Sequence, residues 1–409
     1  IRPKYSGDYH CIVTRNGVSV TSNTVTISSS SCSATTVCST LPVMIVNTTY
    51  NDFPSKCTGS TNWSECIPNP NNVTPSPEAK AKTYVDVKVL WDGTASDTDG
   101  SVTQSDIATL SKLHFDGKAQ MAYRGSSSLN FDKKGYSFKV GADSCTTAGK
   151  YVKGSKNMFD IAGGKNNDWV LYAAYPDASM MRNKLAIDTY EAMTGLWTSH
   201  SRYVELYVDG TYKGVYLFME KPEQASERIA INPTKGYAFK YDKTEVFDRA
   251  EDRHASDPNT ADGTTFITTR TGQHNLTTYN SVVDQAFEVE YLPNGNEIGG
   301  TGSATATTDL AALKAHFIAF EDSLAAGNFT KVRQYIDYDS WADWFILNEF
   351  TKNVDSYRLS TWFTMDSINA PIKATPVWDY ELGFNNTATS VGADHTSTDG
   401  WMYSHATLK

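Results

Sequence analysis

The sequence predicts an α+β fold that is sheet-rich in its first half, helical in its second, and preceded by strands of a β-sandwich. Three observations carry that reading. Residues 84–89 alternate apolar and polar, and residues 203–219 form two apolar runs around Asp209-Gly210. Residues 309–324 and 340–350 repeat apolar side chains at helical spacing. Residues 8–27 alternate around Asn16-Gly17, a dipeptide that favours a hairpin turn.

In chain order, residues 1–28 read as the last two strands of an immunoglobulin-like sandwich. Asp8-Tyr9-His10-Cys11 has the form of a tyrosine corner, with Tyr two residues before Cys. Val13, Val18, Val20, Val25 and Ile27 continue the apolar face. A whole sandwich needs about 100 residues, so the rest is expected from polypeptide upstream or from a neighbouring subunit by strand addition. Residues 29–40 are a Ser/Thr-rich linker open to O-linked glycans. Leu41 to Val46 reads as a buried strand, and the prolines between 54 and 77 as loop. A strand pair is expected around Arg124-Gly125, then a helix over Ser179–Met193 with Met181, Leu185 and Ile187 inward and Gly195 as its stop. Tyr203–Val208 and Gly214–Met219 form a hairpin. Residues 249–308 read as a polar insertion. The helix Asp309–Leu324 has Leu310, Leu313, Phe317, Phe320 and Leu324 on one face, and the helix Ser340–Phe350 is apolar at Trp344, Phe345 and Leu347. Last come apolar runs 359–365 and 372–377 around a polar turn, a strand-turn-strand hairpin.

A chain of 409 residues exceeds one typical domain and can bury a large core. The net charge of −10 argues against a nucleic-acid surface. No run of about 18 apolar residues is present, so no membrane span is expected. The chain opens at Ile1 and reads as a mature or internal fragment. Five of six cysteines fall within the first 66 residues and none forms a CxxC pair, which favours disulfides over zinc and points to a secreted or cell-surface protein. Cys57 is expected to pair with Cys66 and Cys32 with Cys38. Sequons stand at Asn47, Asn62, Asn72, Asn275, Asn328 and Asn385, with Asn62 and Asn72 the best placed for N-linked glycans. Eight histidines are scattered without HExxH or triad-like spacing, so a hydrolase has no support.

The chemistry concentrates in two stretches, Asn353-Val354-Asp355-Ser356-Tyr357-Arg358 and Pro376-Val377-Trp378-Asp379-Tyr380-Glu381-Leu382-Gly383. Each places an acid at one end of the predicted hairpin. Phosphoryl transfer needs two such acids, one to align the nucleophile and accept its proton, the other to hold a divalent metal on the nucleotide. Tyr123-Arg124-Gly125-Ser126-Ser127 reads as a phosphate-facing turn, in which Gly allows close approach, Ser donates and Arg offers a planar fork.

These stretches, with Lys133-Lys134-Gly135-Tyr136, Asp168-Trp169-Val170-Leu171-Tyr172-Ala173, Met181-Arg182-Asn183-Lys184-Leu185 and Gly214-Val215-Tyr216-Leu217-Phe218-Met219-Glu220-Lys221, resemble the CotH kinase family in its own order, over roughly residues 41–390. The resemblance implies a two-lobed atypical protein-kinase-like fold, with a sheet-rich N-lobe over about 41–220 and a helical C-lobe over about 221–409. It implies Asp355 as catalytic base and Asp379 as metal ligand, with ATP and Mg²⁺ or Mn²⁺ as cofactors. Arg124, Gly125, Ser126 and Lys134 (or Lys133) would face the phosphates, Arg182 would assist, and Glu220 would lie where a hinge backbone cradles adenine. The implied substrates are Ser or Thr of extracellular proteins. One position departs: five residues after Asp355, where kinases carry an Asn for a second metal, stands Ser360, a weaker metal ligand or a support for metal-bound water. Together with the sandwich strands and the linker, that departure supports a rival expectation, a non-catalytic glycosylated surface or filament protein contacting neighbouring subunits.

Overall fold

The computed structural model describes residues 7–9, 12–15, 18–21, 25–27, 38–48, 83–92, 102–125, 128, 131–140, 158–160, 166–243, 265–266, 285–296, 302–357, 359–386 and 401–402. Seven strands close into a barrel: β1 (Val43–Asn47), β2 (Thr83–Leu90), β3 (Leu113–Arg124), β4 (Gly135–Val140), β5 (Asp168–Tyr172), β6 (Ser201–Val208) and β7 (Thr211–Glu220). Their order around the barrel is β4-β5-β7-β6-β1-β2-β3, with every pair antiparallel except β6 with β1. The expected sheet-rich half is therefore a closed barrel rather than the open sheet of a kinase N-lobe. Closure removes the sheet edges that an open sheet would have to protect.

The barrel is filled by alternate residues of each strand. Val87, Val89, Met121, Phe138, Trp169, Leu171 and Phe218 point inward, and Trp169 stacks on Phe218 at 5.0 Å. The outward residues of β5 and β7 are buried as well. Val170, Leu217 and Met219 pack against Ala186, Ile187 and Tyr190 of α1 (Arg182–Thr194), and against Leu347, Val377 and Tyr380. That is why Val215 to Met219 is continuously apolar: alternation needs one wet face, and this strand has none. The hairpin around Asp209-Gly210 forms as expected, with Tyr203 opposite Leu217.

After Glu220 the chain enters a second sheet. β8 (Tyr237–Lys243) lies between β9 (Gln285–Tyr291) and β10 (Thr361–Met365), with Thr265–Phe266 at the edge. Helices α2 (Ser303–Ala325), α3 (Phe329–Tyr335) and α4 (Tyr338–Thr351) complete this half. Three expectations change here. β9 and the start of α2 fall inside the segment read as polar insertion, because Phe287 and Ala306 are buried in the core. Met181 is 59% exposed and Leu185 48% exposed, since α1 instead turns Asn183, Ala186, Ile187 and Tyr190 to the barrel. The final hairpin does not form: β10 pairs with β8, and the arm after it supplies a single bridge, Thr364 with Lys373. Pro371 and Pro376 leave that arm short of the N–H donors a ladder needs.

At the amino terminus, Gly7–Tyr9 pairs with Val25–Ile27 and Ile12–Arg15 with Val18–Thr21, both antiparallel, so four short strands in two separate two-stranded sheets stand where two strands are expected around Asn16-Gly17. Among the described residues, no strand of the barrel or the second sheet pairs with them. Cys32, Cys57, Cys66, Asn62, Asn72 and Asn275 lie outside the described residues, as does Ser126. Asn47 and Asn385 are exposed, and Asn328 caps α3 by accepting from the Lys331 N–H. No described helix is long and apolar enough to cross a membrane.

The end of the barrel is fixed to the second half by a buried charge network. The Glu220 carboxylate, fully buried, faces Arg228 Nε at 3.3 Å and His200 Nδ1 at 2.8 Å. His200 Nε2 lies 2.8 Å from Glu191, and Arg228 NH1 donates to the carbonyls of Asp168 and Lys221. Burial alone would lower the pKa of His200. Its hydrogen bonds to Glu220 and Glu191 outweigh burial and raise it above 6.5. A raised folded-state value means the stabilisation is complete below 6.5 and is lost as pH rises through the folded value. Wild-type protein should therefore lose urea resistance as pH increases from about 6 to about 9. His200→Gln should be less stable at the lower pH and approach wild type at the higher. A constant gap across that range would show that the imidazolium charge is not what the network uses.

Candidate active site

The two acid-bearing stretches meet through asparagines. α4 ends at Thr351, and Lys352 turns the chain left-handed at φ 51°, its N–H donating to the Asn348 carbonyl. The next residue, Asn353, is buried. Its Nδ2 donates to the Asp379 carbonyl at 3.2 Å, and its Oδ1 accepts the Asp355 N–H at 3.3 Å. One amide thus holds both acids. Asn348 acts one layer below: its Oδ1 accepts from Ser356 Oγ at 3.0 Å and from Tyr380 Oη at 2.6 Å. Between these residues lies a cavity of about 10 Å³, lined by Asn348, Asn353, Ser356, Ser360 and Tyr380, the size of one water.

Asp379 and Ser360 are both left-handed, at φ 70° and 50°. Such a conformation is costly for non-glycine residues and persists where the surroundings enforce it. Here it aims Ser360 Oγ at Asp379 Oδ2, 3.2 Å away, and at Asp242 Oδ2, 3.3 Å away. The segment beyond Asp379 is held by α1. Asn183 Oδ1 accepts the Tyr380 N–H at 2.9 Å, and Arg182 Nε donates to the Phe384 carbonyl at 3.3 Å. Glu381 is pushed well above the usual carboxylate range, first by burial and then by the adjacent charge of Asp379. Its Oε2 is buried with no hydrogen-bond partner.

Among the described residues no three His, Cys, Asp or Glu side chains converge closely enough to hold a metal alone. Mg²⁺ is ordinarily held by one or two carboxylates plus phosphate oxygens and water, and a set of Asp379, Ser360 and Asp242 fits that mode. All three are hard oxygen donors, and the crowding of Glu381 against Asp379 marks an excess of negative charge that a cation would relieve.

Cationic side chains lie across from the acids. Strand register sets Arg124, Gly135 and Tyr172 at one end of the barrel. Arg124 stacks on Trp378, 5.3 Å from the ring centre, beside Asp379. Gly125, at φ 125°, takes a conformation open to glycine alone. Lys134 Nζ donates to the Phe131 carbonyl. Lys133 Nζ donates to the Val215 carbonyl over the Tyr216 ring, and burial lowers its pKa to about 8. Arg182, expected at the phosphates, also forms an ion pair with Asp177. Glu220, expected to offer its backbone to adenine, donates its N–H to the His200 carbonyl, and the Lys221 N–H goes to Asp168. Those two donors are spent on the fold.

A larger cavity, about 200 Å³, opens just past Glu220. Lys221, Pro222, Glu223, Gln224, Ile229, Ala238, Glu290, Tyr291 and Trp362 line it. Trp362, which lines this cavity, belongs to one apolar cluster with Ile229, Ala238 and Trp378. Sequence reading missed Asp242, Glu381 and Trp362. Glu381 lay within a motif already singled out, whereas Asp242 becomes visible only once β8 is known to pair with β10.

Replacing Asn348 with Leu should strand the hydroxyls of Ser356 and Tyr380 in the interior. At about 1–3 kcal/mol for each buried unmet group, Asn348→Leu should cost about 2–5 kcal/mol in urea unfolding. A loss under about 1 kcal/mol would show that the two hydroxyls find other partners.

The sequence matches the CotH kinase protein family over residues 121–407. No curated protein matches the chain.

Proposed function

Because the chain belongs to the CotH kinase protein family, whose name implies nucleotide and divalent-metal use, we propose that it is a metal-dependent phosphotransferase of the protein-kinase type. The observation that carries this reading is Asn353, whose one amide binds the backbone of both Asp355 and Asp379. On this reading the barrel serves as the first of two lobes and the nucleotide lies between them. Its base enters the cavity beside Lys221–Gln224, with Trp362 as a flat apolar wall. Its phosphates extend toward Ser360 and Asp379, with Arg124 and the Gly125 turn opposite. Ser360 lies immediately before β10 and Trp362 within it, so the two come from one short stretch of chain.

Asp379 would hold a divalent cation, Mg²⁺ or Mn²⁺, which would supply charge neutralisation at the nucleotide phosphates. Asp355 aligns the acceptor hydroxyl and takes its proton as the hydroxyl oxygen bonds to the γ-phosphorus. The bond from that phosphorus to the β-bridging oxygen breaks, and ADP leaves with the electron pair. Lys133, half-buried with a pKa near 8, retains most of its proton at neutral pH and joins Lys134 as a candidate phosphate contact. The acceptor we favour is a Ser or Thr of an extracellular protein. The cysteine-rich, Ser/Thr-rich first 66 residues support that setting.

Two variants separate the roles. Asp379→Ala should abolish the Mg²⁺-ATP stabilisation, which for wild type is about 2.7 kcal/mol at a hundredfold excess over Kd, read as a thermal shift. Asp355→Asn should keep that shift and lose roughly 10²-fold or more of γ-phosphoryl transfer to an acceptor protein. If wild type shows no shift with any divalent metal, the rival reading, a non-catalytic surface or filament protein, takes its place.

A further inference from the structure

The last turn of α4 carries a second amide that reaches both acid-bearing stretches. Asn353 joins Asp355 to Asp379, but it stands in the loop beyond the left-handed Lys352. It therefore ties the two stretches to each other rather than to a helix. Asn348 lies within α4 and is 1% exposed. The residue before it, Leu347, belongs to the apolar layer that covers β5 and β7. Asn348 Oδ1 accepts from Ser356 Oγ at 3.0 Å and from Tyr380 Oη at 2.6 Å. Ser356 follows Asp355 and Tyr380 follows Asp379, so each acid has its next neighbour bonded to the same oxygen. A carbonyl oxygen has two lone pairs, and here one serves each stretch. Burial raises the pKa of Tyr380, which keeps its hydroxyl a donor. The same turn of α4 receives the chain beyond Asp379 as well: the Phe384 N–H donates to the Thr351 carbonyl, and a Cβ at Gly383 would lie 3.3 Å from Thr351.

Resting on the phosphotransferase reading, we propose that Asn348 is a positioning residue for phosphoryl transfer, whose one oxygen sets both Asp355 and Asp379 relative to α4. Two acids that act on one phosphoryl group must be held to within about 0.5 Å, and a helix packed on the barrel wall holds position better than a loop. The two hydroxyls divide the work. Ser356 fixes the stretch that aligns and deprotonates the acceptor, and Tyr380 fixes the stretch that faces the metal–nucleotide. Loss of one hydroxyl therefore has a different kinetic consequence from loss of the other.

The test uses the full chain with Mg²⁺-ATP and casein as a generic Ser/Thr acceptor, at a temperature where circular dichroism shows each variant folded. Turnover is read as ADP release, which counts transfer to casein, to the protein itself or to water. Ser356→Ala should lower kcat roughly tenfold and leave the Mg²⁺-ATP thermal shift unchanged. Tyr380→Phe should weaken Mg²⁺-ATP roughly tenfold, seen as a smaller shift and a raised KM. Asn348→Leu, which removes the acceptor for both hydroxyls, should show both losses; if it does not fold, the two single-hydroxyl variants decide. A merely structural Asn348 would lower the melting temperature in all three and leave kcat and KM of the folded protein at wild type. That result overturns the assignment of Asn348 while the phosphotransferase reading stands. If wild type shows neither a Mg²⁺-ATP shift nor ADP release, that reading falls and this assignment with it.

Discussion

The segment from Pro376 to Phe384 carries Asp379 but, among the described residues, has no strand to pair with, and the architecture around it follows from that constraint. A backbone without a ladder must have its polar groups met by side chains. Asn353 takes the Asp379 carbonyl, Asn183 the Tyr380 N–H and Arg182 the Phe384 carbonyl. Those three residues come from the loop after α4 and from the first turn of α1. The segment is therefore an inlay between two helices, and its position is as rigid as their packing. Tyr380 beneath it is fully enclosed with Ala186, Ile187, Tyr190 and Leu347, which is the same apolar layer that covers β5 and β7. Acid position and barrel wall are set by one packing event.

The barrel contributes through its end rather than its bore. Among the described residues its interior is packed with aromatic and aliphatic side chains. At the end where β5 meets Tyr172, the rim presents Arg124 and the lysines before β4. At the other end of β5 and β7, Glu220, Arg228 and His200 bind the barrel to the chain that enters the second sheet. An isolated buried carboxylate in that position would be very costly. With Arg228 and His200 in place it orients the crossover instead.

Much of this was legible in the sequence, and the failures have physical causes. Strand positions followed from alternation, and the family from ordered motifs. Closure of the barrel did not, because it depends on β3 pairing with β4 while β1 pairs in parallel with β6, a choice that local pattern cannot encode. The apolar run before Asp379 looked like a strand, yet buried loops and buried strands share the same composition, and only the prolines spoke against pairing. Met181 and Leu185 were taken as the inward face of α1 because they are the largest apolar residues there. The structure buries the smaller Ala186 and the amide Asn183 instead, since the Tyr380 N–H needs a partner more than the helix needs another leucine. Asp355 and Asp379 were singled out because their motif residues are contiguous. Asp242 was not, because its significance depends on a cross-strand neighbour more than 100 residues away.

The distribution of charge ties these features together. Asp242, Asp355, Asp379 and Glu381 all belong to the second half of the chain, while Arg124, Lys133 and Lys134 all belong to the barrel. Arg124 stacks on Trp378, and Lys133 and Lys134 reach backbone carbonyls. Burial holds the Lys133 pKa near 8, the state of an amine with too little negative charge close by. Burial and Asp379 together hold Glu381 high, the state of an acid with too much. A polyanion carrying a divalent cation would correct both at once, with its phosphate oxygens toward the barrel and its metal toward the aspartates. On the phosphotransferase reading proposed above, a metal–nucleotide is the class of ligand that meets both conditions.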